Sequence, residues 1–280
     1  MKYVTKSLVR KSLPKKHDWS HKGDFGRLLI IGGSKTYYGA PVLSALAALR
    51  TGCDLVRIVA PEKSAEVYAS ISPDLMVEPI PGHNFNNWHA RGILDLAKDY
   101  DAVLIGPGLG IKRETLSFVH NFLQRLDKPC VIDADAIKAI SSNKKILKSN
   151  CVLTPHSMEF QLLTDQKPSN NLRERSEQVK LFTKHLGCTI LLKGHIDIIS
   201  NGKETLLNKT GTPFMTKGGT GDVLAGICGA LLAMGFSPIA AASSAAYLNG
   251  LAGEAIAKRL GQGLLASDVV NNIPSILKRL

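Results

Sequence analysis

Arg27-Leu28-Leu29-Ile30-Ile31-Gly32-Gly33-Ser34 is the stretch on which the prediction of the fold rests. Its run of apolar residues predicts a buried strand, and the glycines that follow predict a tight turn. A helix is predicted next over Pro41–Arg50, with Gly52 as its stop, and Leu55–Ala60 predicts another strand. Strand, glycine-rich turn, helix and strand in this order are typical of a parallel sheet.

The same alternation continues along the chain. Short apolar runs that end in polar or glycine-rich turns predict strands at Ala102–Ile105, Cys130–Ile132, Cys151–Leu153 and Thr189–Leu192. Asn201-Gly202, between Ile196–Ile199 and Thr205–Leu207, predicts a β-hairpin. We expect one α/β domain over residues 1–280, including a basic N-terminal segment at 1–22. A mostly parallel sheet should lie between helices on both faces, with ligands at the carboxyl ends of its strands.

Composition excludes several classes of protein. The chain of 280 residues has a formal net charge of +12, but it has no arginine-rich recognition helix and no basic strand with interleaved aromatic residues. We therefore expect no nucleic-acid partner, and a surface that attracts anionic nucleotides. The five cysteines are odd in number and lack metal-ligand spacing, which is typical of a reduced, cytoplasmic core.

A long stretch without charge raises the question of a membrane. Residues 223–253 contain no charged side chain, but Phe236-Ser237-Pro238 divides them into two segments. Neither segment has the length and the apolar composition of a membrane span. We expect two buried helices and no membrane partner.

Thr216-Lys217-Gly218-Gly219-Thr220-Gly221-Asp222-Val223-Leu224-Ala225-Gly226 predicts an anion site. Glycines and a threonine let backbone N–H groups converge, and the helix that begins there adds the positive end of its dipole. A carboxylate repels phosphate, so Asp222 is interpreted as a base, or as a group that orients a hydroxyl beside a transferring phosphate. The alternative is that Asp222 only caps the helix.

Two other strand ends are candidates for ligand contacts. The turn Gly106–Gly110 has the wrong spacing for a dinucleotide fingerprint, and Pro107 removes one N–H; it either lets a ligand approach the backbone or is a purely structural turn. No P-loop motif is present in the sequence. In Thr154–Glu159, Glu159 either orients water around a magnesium ion or forms a capping box, and His156 either contacts a ligand or fills a polar turn.

The order of these motifs resembles that of one family, the ADP- or ATP-dependent NAD(P)H-hydrate dehydratases. The resemblance covers nearly the whole chain, and the number of motifs found in the family's order makes it specific. The motifs are His21–Arg27, Ile31–Ser34, Tyr38–Ala40, Ala45–Gly52, Ser72–Val77, Gly106–Gly110, Asp133–Ala136, Thr154–His156 with Glu159, Lys193-Gly194, Thr216–Gly226, Tyr247–Gly253 and Gly263–Asp268.

The resemblance implies a three-layer α/β/α ribokinase-like fold and a cytoplasmic repair enzyme. Its expected reaction is the dehydration of the S epimer of hydrated NADH or NADPH, driven by ADP with release of AMP and phosphate, or by ATP. Magnesium and a homotetramer are also implied. Because the chain starts almost directly at the dehydratase region, we expect the epimerase that is its functional partner to be a separate protein.

The resemblance also implies roles for individual residues. Asp222 is expected to accept the proton of the substrate hydroxyl. The anion hole for the transferring phosphoryl group is expected at Gly219, Thr220 and Gly221; the contacts to hydrated dinucleotide at Ala40, Gly106, His156 and Asp222; the contacts to adenine nucleotide at Lys193, Gly194, His195, Ile196, Asp197 and Gly221; and the contact to magnesium, through water, at Glu159.

Three positions depart from the family pattern. Lys138 stands where an amide side chain is expected, Asn249 where histidine is frequent, and Asp197 where a hydroxyl residue is common. The departures concern details of the nucleotide and substrate contacts. The alternative functions are a sugar or vitamin-precursor kinase, which would release a stable phosphorylated product, and a non-catalytic nucleotide sensor or nucleic-acid binder.

Overall fold

The computed structural model describes residues 2–13 and 17–280, so part of the predicted basic segment 1–22 lies outside the described residues. Within these ranges, ten strands form one sheet. They are β1 (Lys2–Tyr3), β2 (Arg27–Ile31), β3 (Leu55–Pro61), β4 (Met76–Ile80), β5 (Ala102–Ile105), β6 (Cys130–Ile132), β7 (Cys151–Leu153), β8 (Thr189–Leu192), β9 (Asp197–Ser200) and β10 (Thr205–Asn208).

Helices follow most of the strands and cover both faces of the sheet. They are α1 (Lys6–Ser12), α2 (Gly39–Thr51), α3 (Glu62–Ile71), α4 (Asn87–Ala97), α5 (Arg113–Arg125), α6 (Ala134–Ile140), α7 (Ser157–Thr164), α8 (Leu172–Leu186), α9 (Thr220–Ala233), α10 (Pro238–Leu260) and α11 (Ala266–Lys278).

The strand order across the sheet is β1-β10-β9-β8-β7-β6-β5-β2-β3-β4. All neighbouring strands are parallel except β9, which is antiparallel to both β8 and β10. The carboxyl ends of β5, β6, β7 and β8 therefore lie side by side at one edge. This arrangement confirms the predicted mostly parallel sheet between two layers of helices.

Successive side chains of the central strands point alternately to the two faces of the sheet, and each face carries its own hydrophobic core. Leu28 and Ile30 of β2 belong to the core beneath α2, α9, α10 and α11, whereas Leu29 and Ile31 belong to the core beneath α4, α5, α6, α7 and α8. Successive side chains of a strand point to opposite faces, so a continuous apolar run is required where both faces are covered. This explains why β2 has no polar–apolar alternation.

Helices α2 and α9 pack with almost no space between their backbones. A Cβ on Gly226 of α9 would collide with the backbone carbonyl of Ser44 on α2. The Ser44 hydroxyl also donates a hydrogen bond to the backbone carbonyl oxygen of Asp222, at 2.9 Å. Glycine at 226 is thus a packing requirement, and it fixes the start of α9 against α2.

The predicted strands agree with the structure to within two residues, and the hairpin at Asn201-Gly202 is confirmed as β9–β10. The charge-free stretch forms the two buried helices expected, α9 and α10, with the break at Ser237. Within the described ranges, every helix falls short of the length or apolar character that crossing a membrane would need. Strands β1 and β4 at the two ends of the sheet were not predicted.

Candidate active site

Four strand ends bring polar residues and glycines to one edge of the sheet. Gly106 follows β5, Asp133 follows β6, His156 lies three residues beyond β7, and Lys193 follows β8. The amino end of α9 lies at the same edge, because the Nζ of Lys193 is 3.5 Å from the position that a Cβ on Gly221 would occupy. The sheet therefore assembles into one site residues that are far apart in sequence.

The glycine-rich loop forms a tight entry into α9. Gly219 has a φ of +95°, and a Cβ there would lie 2.7 Å from the Cδ1 of Leu43 and 2.9 Å from the Cβ of Ala266. The hydroxyl of Thr220 donates to the carbonyl oxygens of Met215 and Lys217, at 2.9 and 3.0 Å. These contacts fix the loop, while the first N–H groups of the helix need partners from outside it.

Helix α9 lies wholly within the described residues. Its N-cap residue is Gly219, and no side chain caps its first N–H groups. The interpretation of Asp222 as a simple cap is therefore wrong. Its carboxyl group lies in the first turn instead, where burial and then the charge of Asp133 raise its pKa from 3.8 to about 7. A hydrogen bond from its own backbone N–H and the nearby Lys193 oppose that shift.

A charged cluster lies beneath the loop. The Nζ of Lys193 is 3.2 Å from Oδ1 of Asp133 and 4.0 Å from Oε2 of Glu159. The hydroxyl of Thr154 donates to the same Asp133 oxygen, at 2.6 Å. Burial alone would lower the pKa of Lys193, but the two carboxylates outweigh it and hold the pKa above its usual value. Lys193 is thus a permanent positive charge beside Gly221 and Asp222.

His156 and Glu159 form a capping box at the start of α7. Oε2 of Glu159 accepts a hydrogen bond from the backbone N–H of His156, at 2.9 Å, and Nδ1 of His156 accepts from the N–H groups of Met158 and Glu159. The capping-box interpretation of Glu159 is confirmed. Because Nδ1 is an acceptor here, Nε2 of a neutral His156 carries its proton. Burial lowers the pKa of His156, which favours this neutral form.

A cavity of about 820 Å³ opens beside the loop. A volume of this size suits a nucleotide-sized ligand. The predicted residues that line the cavity are His156, Lys193, Gly194, His195, Asp197, Thr220 and Gly221. Asn249, one of the three positions that depart from the family pattern, also lines it. The predicted nucleotide residue Ile196 does not line this cavity; it packs against the hydrophobic core below.

This cavity is not lined by the predicted site residues Ala40, Gly106, Gly219 and Asp222. A Cβ on Gly106 would collide with the backbone carbonyl oxygen of Asp133, so only glycine fits there. A Cβ on Gly108, in the same turn, would lie 3.6 Å from the Cβ of Ala40. Besides burial, the charges of Asp133 and Asp135 both raise the pKa of Asp222, and Asp135 accepts a hydrogen bond from the N–H of Gly110 in this turn, at 2.9 Å.

Asp197 closes the turn that follows β8. Its Oδ1 accepts from the N–H of Gly194 at 2.9 Å, and its Oδ2 accepts from the amide of Asn208 at 3.0 Å. Burial raises the pKa of Asp197 to about 6, against these hydrogen bonds. The guanidinium of Arg175 donates to the carbonyl oxygen of Lys193 at 3.0 Å from the other side of the turn.

The structure places at the site several residues for which the sequence predicted no role. Asp133 belongs to the motif Asp133–Ala136 of the family resemblance, but no role was predicted for it, although it is the carboxylate paired with Lys193. Arg175 was not predicted, because it reaches the site from the first turn of α8, which belongs to none of the motifs. The loop from 210 to 216 lines much of the cavity. Of this loop, only Thr216 belongs to a motif found in the sequence.

The site could hold magnesium only together with the phosphates of a bound nucleotide. Among residues 2–13 and 17–280, no group of three or more histidine, cysteine, aspartate or glutamate side chains is arranged to hold a metal ion. Magnesium commonly takes one or two carboxylates together with water and substrate phosphates, so such a site does not need a protein cage. One carboxylate oxygen of Glu159, Oε2, already accepts the capping hydrogen bond from the N–H of His156.

Comparison with known proteins identifies relatives over nearly the whole chain. A family model described as NAD(P)H-hydrate dehydratase matches residues 28–275. The ADP-dependent (S)-NAD(P)H-hydrate dehydratase of Cenarchaeum symbiosum is 40% identical, over 96% of this chain and 94% of the relative. The bifunctional NAD(P)H-hydrate repair enzyme of Pyrobaculum aerophilum is 45% identical over 93% of this chain, which spans about half (52%) of that relative.

Solved structures show the same fold. An ADP/ATP-dependent NAD(P)H-hydrate dehydratase from Bacillus subtilis, co-crystallised with ATP and Mg²⁺, has a TM-score of 0.86 and 29% identity, covering 99% of this chain and 98% of its own. A ribokinase-like superfamily protein from Enterococcus faecalis also has a TM-score of 0.86 and 29% identity, over 99% of this chain and 95% of its own. The ribokinase-like fold expected from the sequence is thereby confirmed.

Proposed function

Since the chain belongs to the NAD(P)H-hydrate dehydratase family, we propose that it dehydrates the S epimer of hydrated NADH or NADPH, using an adenine nucleotide. The full-length relatives named as ADP-dependent enzymes favour ADP as the donor. The observation that supports this proposal most is the position of Asp222. Its carboxyl group, whose pKa burial raises to about 7, lies in the first turn of α9, just after the N-cap residue Gly219. A base and an anion site are thus adjacent, as a phosphoryl transfer to an alcohol requires.

The reaction balances in two steps. The hydroxyl oxygen of the hydrated ring attacks the terminal phosphorus of ADP, the bond to the AMP oxygen breaks, and Asp222 accepts the hydroxyl proton. The carbon–oxygen bond of the resulting ester then breaks and phosphate leaves with its electron pair. A proton is lost from the neighbouring ring carbon, which restores the double bond. Phosphate is a far better leaving group than hydroxide, and this is why a nucleotide is needed.

We assign the cavity to the nucleotide. The N–H groups of Gly219, Thr220 and Gly221 would hold the transferring phosphoryl group, supported by the helix dipole and by the charge of Lys193. Developing negative charge is stabilised most by donors that are fixed before reaction, and the Thr220 hydroxyl bonds fix this loop. The remainder of the nucleotide would be contacted by the turn after β8, through Gly194, His195 and Asp197.

We assign the side of Asp222 that faces Ala40 and Gly106 to the hydrated dinucleotide. Gly106 packs against the backbone carbonyl of Asp133, so a ring bound here would meet the backbone of this turn and no side chain of residue 106. Neutral His156 carries a proton on Nε2, which lies 3.4 Å from Oε1 of Glu159, so a polar group of the substrate would share this donor with Glu159. Asp222, between the two sides, would then face both the hydroxyl and the phosphoryl group.

Magnesium would enter with the nucleotide phosphates, and Glu159 would contact it only through water. When bound, the ion would neutralise charge on the phosphates during transfer. Asp222 would accept the hydroxyl proton, and the proton lost from the ring carbon would pass to water. We further propose a homotetramer, an epimerase as functional partner and a cytoplasmic location; the five buried free thiols support a reducing compartment.

The test is an assay in which S-hydrated NADH and the purified protein are mixed with ADP or ATP, each with and without magnesium. We expect reduced-nicotinamide absorbance to return only when nucleotide and magnesium are both present, with AMP and phosphate formed from ADP in equal amounts. Formation of a stable phosphorylated product without dehydration would instead establish the kinase alternative. Sedimentation as a monomer at working concentration would contradict the tetramer.

A further inference from the structure

Asn249 has an unmet hydrogen-bonding requirement. The residue lies in the middle of α10 and is only 7% exposed. Among residues 2–13 and 17–280, nothing donates a hydrogen bond to its Oδ1, although that atom is shielded from solvent. A buried polar atom without a partner costs about 1–3 kcal/mol. An acceptor kept at such a cost points to a donor that the protein alone does not supply.

The side chain lines the cavity that we assign to the nucleotide. Small or apolar residues form part of the same wall, namely Pro213, Met215, Leu224, Ala246 and Gly250, and the polar Thr210, Thr212 and Thr216 also line it. Such a wall suits the flat, weakly polar face of a heteroaromatic ring. The charged residues that line the cavity are Lys193 and Asp197, at the two ends of the turn between β8 and β9, and Lys217, in the glycine-rich loop.

We propose that Asn249 selects the base of the nucleotide, with its Oδ1 accepting a hydrogen bond from the exocyclic amine of adenine. This inference rests on the proposed function, because it places an adenine nucleotide in the same cavity. A carboxamide offers an acceptor and a donor side by side, which matches the amine and the adjacent ring nitrogen of adenine. The ribose hydroxyls are left to Asp197, whose carboxylate oxygens keep free lone pairs after their two hydrogen bonds.

Specificity follows from the cost of an unmet partner. A base that lacks the amine would leave the buried oxygen unpaired in the complex, as it is in the free protein. Sites built to hydrogen-bond a ligand reject an analogue that lacks the group more strongly than apolar pockets do. Asn249 is thus a specificity-determining residue, and the proposal concerns the relative affinity of nucleotides rather than the chemical step.

The test measures binding by calorimetry, without the hydrated substrate, for ADP, purine riboside diphosphate and deoxyadenosine diphosphate. Purine riboside lacks only the exocyclic amine. We expect the unmodified protein to bind ADP about tenfold more tightly than the purine riboside analogue. Asn249→Leu, which keeps the volume and removes the acceptor, should abolish that preference by weakening the binding of ADP. Asn249→Asp, which keeps an acceptor, should retain it.

The control is Ser244→Ala. The Ser244 hydroxyl is also buried in α10 and has no partner among the described residues, but it does not line the cavity. We expect this variant to discriminate between the nucleotides as the unmodified protein does. Loss of discrimination in both variants would mean a general loosening of α10 and would overturn the proposal.

Three further outcomes are decisive. Equal weakening of ADP and the purine riboside analogue in Asn249→Leu would remove Asn249 from base recognition, as would an effect confined to the deoxyadenosine nucleotide. If no nucleotide binds to the unmodified protein, the proposed function itself fails. If ADP binds with the expected selectivity but hydrated NADH is not turned over, the selection of adenine stands and the dehydratase proposal fails.

Discussion

At the scale of single residues, the site is organised around three charges. Asp133 and Lys193 form an ion pair at 3.2 Å, and Asp222 lies close enough for both to act on its pKa. A second carboxylate near a first raises the proton affinity of one of them, while a lysine between them limits the effect. Burial, and then the charge of Asp133, raise the pKa of Asp222 into the range in which a general base is most useful, while Lys193 limits the shift.

Asp222→Asn is expected to reduce kcat about 10²- to 10⁴-fold with little change in KM, because the amide keeps the shape and cannot accept a proton. The measurement is steady-state dehydration with ADP. The unmodified enzyme should also lose activity as pH falls below about 7, since protonation of Asp222 removes the base. A kcat equal to that of the unmodified protein would remove Asp222 from the chemistry.

The same variant is expected to melt at a higher temperature than the unmodified protein at about pH 8, and at nearly the same temperature at about pH 4. The carboxyl pKa is 3.8 when unperturbed and about 7 when folded. Between these values the folded protein binds a proton that the unfolded chain has lost, so the contribution of Asp222 to stability falls as pH rises. Thermal melting of both proteins across this range is the measurement. A gap in melting temperature that widens toward low pH would contradict the raised pKa.

At the scale of elements, the entry into α9 decides where the base and the N–H groups point. Its geometry depends on a left-handed residue, Gly219, followed by a threonine that bonds back to the loop. Sequence alone indicated an anion site here because glycines before a helix are a local signal. It gave no account of Leu43 and Ala266, which close on Gly219 from α2 and α11.

Gly219→Ala is expected to destabilise the fold by about 1–3 kcal/mol and to lower kcat/KM. The added Cβ would meet Leu43 and Ala266 at 2.7 and 2.9 Å, in a backbone conformation that alanine disfavours. Gly218→Ala is the matched control, because a Cβ there meets no atom of the described chain within 4 Å. Urea unfolding of the two variants tests this. Equal stability of both would show that the loop adapts.

Local sequence patterns predicted most of the sheet and little of the site. Strands β5 to β8 were found because both of their faces are buried and their apolar runs end in clear turns. Edge strand β4 was missed because its residues are only partly buried and one of them, Pro79, disfavours a strand. The pairing of Lys193 with Asp133, sixty residues away, depends on strand order, which no local pattern contains.

At the scale of the whole molecule, the chain carries a formal net charge of +12, and the adenine nucleotide that we propose as its ligand is a polyanion. Long-range attraction of this kind increases the rate of encounter, and salt screens it. The chain also provides two cores on either side of one sheet, so the site edge is held rigidly by strands that are packed from both faces.

Binding of ADP is expected to weaken several-fold between about 50 mM and about 500 mM salt, because screening reduces the attraction between the basic surface and the phosphates. Calorimetric titration at the two salt concentrations measures it. Adenosine, which carries no phosphate, is the control and should bind equally at both. An affinity for ADP that does not change with salt would show that the net charge plays no part in binding.

The tight packing of Gly226 against Ser44 has a consequence for how such a protein can diversify. Ala40 lies near the start of one helix and Asp222 near the start of the other, and the two helices are joined there by the Ser44 hydroxyl. A shift of either helix would therefore move Ala40, which we assign to the substrate ring, and Asp222, the proposed proton acceptor, together. New specificities are accessible through the loops around the cavity, while the spacing between these two residues stays fixed.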